Sequence, residues 1–144
     1  MEIIMYMKYL SRSCAAVVIM LLPIGSLNAQ DAPDFMKRTF PKQGLNAAWE
    51  EHQEISKDGT LDAKTKHLIG LGVAAQIPCD YCVYYHTKAA ESEGATQDQI
   101  KEAIAAAALT RKWSTVLNGS NYDVSDFKSQ VDASLAKKHA AASK

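Results

Sequence analysis

The sequence predicts an all-α protein with about five helices in its mature chain. Apolar residues recur at helical spacing in one segment after another, and short runs of capping or helix-breaking residues separate these segments. No segment sustains the period-two alternation of a half-buried strand, so a thioredoxin-type βαβ sheet is not expected. Residues 30–144 contain no internal repeat, low-complexity tract or long linker, and they read as one domain.

The first expected helix follows Pro41, a residue suited to a first helical turn, and carries Leu45, Ala48, Trp49, His52 and Ile55 on one face. Lys57-Asp58-Gly59 ends it. A second helix begins after Leu61-Asp62, aligns His67, Leu68, Leu71, Ala74 and Ala75, and stops at Pro78. Its stretch from Leu68 to Ile77 is almost wholly apolar, which predicts the central buried helix. The third runs from Cys79 to Glu93 with Gly94 as its C-terminal cap. Thr96 followed three residues later by Gln99 is a capping-box pattern and opens a fourth helix that runs through Ile100, Ile104, Ala107 and Ala108 to about Leu117. Asn118-Gly119 breaks the chain. The last helix, from about Ser125, carries Phe127, Val131 and Leu135 into a Lys- and Ala-rich tail that is expected to fray.

Residues 1–29 read differently, as a cleaved secretory signal. Lys8 and Arg12 supply the positive start, Cys14 to Leu22 is uninterrupted apolar, and Leu27-Asn28-Ala29 offers a cleavage site after Ala29. Pro23, Gly25, Ser26 and Asn28 interrupt the stretch that a spanning helix of about 20 apolar residues would need. Cys14 lacks the small-residue context of a lipoprotein site and leaves with the signal. The product is an exported, periplasmic or extracellular chain of 115 residues with no membrane attachment, fourteen basic residues and fifteen acidic ones. That balance carries no nucleic-acid footprint. A chain of this size can bury a core alone, although small helical units often complete theirs by assembling into homo-oligomers.

The chemistry is concentrated in Cys79-Asp80-Tyr81-Cys82-Val83-Tyr84-Tyr85-His86. Three-residue spacing at a helix start lets two thiols face each other across the first turn, where unpaired N–H groups and the helix dipole favour a thiolate. His86 lies one turn beyond Cys82, so a proton acceptor shares a face with the sulfur. Two blander readings stand beside a redox site. Zinc is disfavoured because His52, His67 and His139 show no paired-ligand spacing to complement the single Cys pair. A purely structural disulfide would close too short a loop to stabilise the fold much. Val83 directly after the second cysteine excludes the usual haem-attachment motif. No cofactor and no metal is expected. Trp49, Tyr81, Tyr84, Tyr85 and Trp113 are candidates to line a substrate pocket, with helix or subunit packing as the commoner use of aromatics at such spacing.

Taken together, the lead-in Gly59-Thr60-Leu61-Asp62-Ala63-Lys64-Thr65-Lys66-His67-Leu68-Ile69, the alanine-rich helix, Cys79-x-x-Cys82-x-x-x-His86 and Gly94-Ala95-Thr96 resemble the carboxymuconolactone decarboxylase-like proteins, in their alkyl hydroperoxidase D-like branch. The resemblance covers about Asp58 to Leu117. It implies an all-α helical bundle that assembles as a trimer or hexamer, with a CxxC site that reduces hydroperoxides and is re-reduced by a thiol partner. In this frame Cys82 is the thiolate, Cys79 its disulfide partner and His86 the base. His67 departs from the family pattern, because the family's proton-relay glutamate stands at this position, twelve residues before the first cysteine. Histidine can relay a proton but offers no permanent negative charge. Glu50, Glu51 and Glu54 form a charged face from which a substitute carboxylate could come.

The expected activity is that of an exported peroxidase or thiol–disulfide oxidoreductase acting on a hydroperoxide or a disulfide, with an external thiol reductant. A cofactor-free lactone decarboxylase or isomerase is the alternative within the family; it would not depend on the Cys pair, and no carboxylate-binding basic residue is identifiable for it. A non-enzymatic helical oligomer with a structural disulfide is the third reading.

Overall fold

Six helices and no strand are present among residues 31–143, the residues that this computed structural model describes. The expected signal segment, with Cys14 and the cleavage point after Ala29, lies outside them. The chain divides after Trp49 into two compact units.

In the first unit, α1 (Asp34–Thr39) was not legible from sequence. It is six residues long, and Pro33 at its N-cap makes no side-chain capping bond. Pro41 does not sit in a first helical turn as expected; its carbonyl accepts the Gly44 N–H at 3.1 Å in a turn that precedes α2 (Leu45–Ser56).

The second unit begins at Glu50. Here α3 (Ala63–Gln76) is opened by Asp62, whose carboxylate accepts the Thr65 N–H at 2.6 Å. α4 (Asp80–Ser92) follows after Pro78, with Cys79 at its N-cap. It ends as Gly94 adopts φ +80°, a conformation that L side chains avoid, and the Ala95 N–H donates back to the Ala90 carbonyl. α5 (Gln97–Gly119) carries the expected capping box, with Thr96 accepting from the Gln99 N–H and the Gln99 side chain accepting from the Thr96 N–H. α6 (Val124–Ala142) is capped by Asp123, which accepts from the N–H groups of Ser125 and Asp126.

α3 packs against both α4 and α5, burying Ala63, His67, Leu71 and Ala74. Ala90 of α4 and Ile100 of α5 are buried as well. Small residues let the helices approach closely: a Cβ on Gly72 would stand only 3.3 Å from the Ala107 Cβ. α3 is central to the packing, but the burial expected of it holds for one face only. Ile69, Val73 and Ile77, a stripe at i, i+4 and i+8, are each more than half exposed. Leu109 and Trp113 on α5 are exposed too, and α6 buries no residue. No helix among the described residues is long and apolar enough to cross a membrane.

Candidate redox site

α3 ends at Gln76, and the chain turns through Ile77 and Pro78, which cannot continue a helix, is extended at Cys79 and re-enters helix at Asp80. That break places the two cysteines across the first turn of α4. Cys79 and Cys82 are joined as a disulfide with their Cα atoms 5.3 Å apart. The Cys82 N–H donates to Cys79 Sγ at 3.2 Å, so this sulfur occupies the role that a Ser or Asp oxygen fills at other helix starts. Both cysteines are partly exposed.

His86 follows Cys82 by four residues on α4, one helical turn on and on the same side. His67 reaches it from α3: the two Nδ1 atoms are 3.3 Å apart. Such a contact is a hydrogen bond only when one Nδ1 carries a proton and the other presents its lone pair. Two imidazolium rings would set N–H against N–H, so the pair resists a second charge. Burial, then the charge of His67, then that of His52, hold His86 below the usual histidine pKa. Burial also lowers His67, helped by His52 and opposed by the carboxylate of Glu93. Both rings are thus neutral at pH 7 and able to accept a proton.

Tyr85 closes the cluster. Its ring meets that of His86 edge-on at 5.0 Å and that of His67 at 5.7 Å, and its hydroxyl lies 2.9 Å from His52 Nε2. His67 and His86 therefore sit together, and Tyr85 joins them. Tyr81 is 90% and Tyr84 70% exposed, and Trp113 lies on α5 with the Lys112 ammonium 5.9 Å from its ring centre. The carboxylate acting on His67 is that of Glu93 at the end of α4, while Glu54 of the α2 face is paired with Lys57.

Sequence reasoning missed His52 and Glu93. A histidine on the apolar face of its helix was the available signal for His52; Glu93 gave none. An open groove of about 600 Å³ lies between α3 and α5, lined by Leu68, Ile69, Val73, Ala103 and Ala107 among others, and none of the cysteines or site histidines faces it. Among the described residues no three His, Cys, Asp or Glu side chains are grouped to hold a metal ion.

The carboxymuconolactone decarboxylase family model matches residues 43–122, more than half of the chain. The protein belongs to this family. A protein of the cox locus of Paracoccus denitrificans is 50% identical over 57 residues, 40% of this chain and 51% of that one. A second relative, from Cupriavidus necator, is 42% identical over 67 residues, 44% of this chain and 59% of its own. The chain spans about half the length of these curated relatives. Among solved structures, the alkylhydroperoxidase AhpD core of Rhodospirillum rubrum superimposes with TM-score 0.52 at 30% identity, over 56% of this chain and 60% of that one. A protein of Methanobacterium thermoautotrophicum gives TM-score 0.50 at 26% identity, over 60% and 96%. The carboxymuconolactone decarboxylase fold of the described residues is accordingly AhpD-like.

Proposed function

We propose that this carboxymuconolactone decarboxylase family protein is an exported thiol-dependent oxidoreductase that reduces hydroperoxides or disulfides. The observation that carries the reading is the juxtaposition at the start of α4: two cysteines bonded across one turn, His86 a turn further along, and His67 against His86. Similarity to the alkylhydroperoxidase core of Rhodospirillum rubrum supports the same class.

In the reduced form, His86 takes the Cys82 proton and the thiolate attacks one oxygen of the peroxide. The O–O bond breaks, the alkoxide takes a proton and leaves as alcohol, and Cys82 becomes a sulfenic acid. The Cys79 thiol then displaces water from Cys82, forming the disulfide. An external dithiol restores the pair: one of its thiolates attacks Cys82, Cys79 leaves as thiolate under the Cys82 N–H, and the donor's second thiol completes exchange and emerges as the donor's disulfide. His67 accepts the Nδ1–H of the His86 imidazolium when its own proton rests on Nε2, a relay role without a fixed negative charge.

The apolar stripe of α3 and the uncovered α6 support assembly with further copies of the chain, as a trimer or hexamer. The charged and apolar character of residues 1–29 supports export.

Purified protein should consume alkyl hydroperoxide or a disulfide substrate with at least one member of a dithiol panel. A redox titration gives the second measure: a potential in the range of dithiol oxidoreductases is expected, and a value below about −300 mV would assign the disulfide to a structural role instead.

A further inference from the structure

We infer that Gly70 is a positioning residue for His86, its missing side chain leaving the seat in which α3 receives the imidazole. An ideal Cβ built on Gly70 would stand 2.5 Å from His86 Cε1 and 2.7 Å from both Nδ1 and Nε2. Three atoms of one ring inside contact distance mean that the imidazole lies flat over the Gly70 backbone. Gly70 has no unusual backbone conformation to explain it; positive φ among the described glycines is confined to Gly94. Glycine is a poor residue for a helix interior, so close approach is the remaining physical reason for it here.

The ring has little freedom to slide aside. His67, three residues before Gly70 on the same face of α3, holds one side through the 3.3 Å Nδ1 contact, and the Tyr85 ring stands edge-on at 5.0 Å. A methyl at position 70 pushes the imidazole off α3 and breaks its contact with His67. The inference rests on the redox reading for what His86 does, and on geometry alone for where it sits. The ionisable groups around the pair are His67 on α3, His52 on α2, Tyr85 on α4 and Glu93 at the α4 end.

The test uses the full chain as Gly70→Ala, with Gly72→Ala as the control, since position 72 meets Ala107 on α5 rather than the histidines. Side-chain imidazole titration by NMR in the disulfide form should find His86 below its usual pKa in the wild type and returned towards it in Gly70→Ala. Alkylation of the reduced protein near pH 7 should slow at least tenfold in that variant, and Gly72→Ala should change neither readout. In a His86→Ala background, Gly70→Ala should leave the alkylation rate unchanged, there being no ring to displace. A wild-type His86 titration in Gly70→Ala, or an equal rate loss without His86, overturns the inference. If Gly70→Ala alone does not fold, the double variant should, because the methyl fits once the ring is gone; a double variant that also fails overturns it. Absence of turnover with every dithiol would sink the redox reading, yet the imidazole titration would still decide on Gly70.

Discussion

His67 against His86, one helical turn along α4 from Cys82, makes single side chains testable. Cys82→Ser should abolish dithiol-dependent turnover. His86→Ala should raise the pKa of the reactive thiol and slow turnover at pH 7 by about 10²–10⁴-fold, the usual contribution of a general base; alkylation rate against pH, measured alongside turnover, checks both. His67→Glu substitutes a negative charge for a ring that now disfavours the His86 imidazolium, so the His86 pKa should rise and activity should be equal or higher. Stability follows the same groups. Both histidines titrate below the ordinary 6.5 in the fold, so the unfolded chain binds their protons more tightly. Stability is therefore complete above about pH 6.5 and is lost as pH falls through that value towards the folded pKa values. Urea unfolding at pH 5.5 and 7.5 should show the drop, and His67→Gln should reduce it. The Cys82–His86 relation was legible because both lie on one helix at fixed spacing. His67 came within view only through resemblance to a family. Gly70 and the Tyr85–His52 contact depend on how closely separate helices approach, which no local pattern encodes.

At the scale of the helix, capping residues govern where chemistry can sit. The Thr96–Gln99 box and left-handed Gly94 fix the α4–α5 turn, and with it the Glu93 charge near His67. Thr96→Ala should cost about 1 kcal/mol, read as a lower melting temperature by circular dichroism with little change in thiol reactivity. These boundaries were readable because Asp62, Pro78, Gly94 and Thr96 each act on their own few residues. α1 escaped because six residues show fewer than two helical periods. α6 ran to Ala142 instead of fraying early, since the alanines and lysines of its tail are among the best helix formers. The half-exposed state of α3 was unreadable for another reason: an apolar run says that a surface wants covering, and leaves open whether this chain covers it.

For the whole molecule, the stripe of Ile69, Val73 and Ile77 with Leu109 and Trp113 predicts association. Light scattering at micromolar concentration should give at least twice the chain mass, and Val73→Glu should lower it; a strictly monomeric wild type would refute the assembly. Mass spectrometry of the protein recovered from its native host should find a chain starting at Gln30. An intact Met1 form confined to the cytoplasm would refute export.

In the proposed cycle, the sulfur that caps α4 is also the one that changes its bonding. The Cys82 amide, which donates to Cys79 Sγ, therefore faces a disulfide sulfur in one state and a thiol or thiolate in the other. A single backbone resonance thus serves as an indigenous redox gauge: its chemical shift and its solvent-exchange rate report the poise of the pair inside an intact sample, without a dye, a label or a substrate.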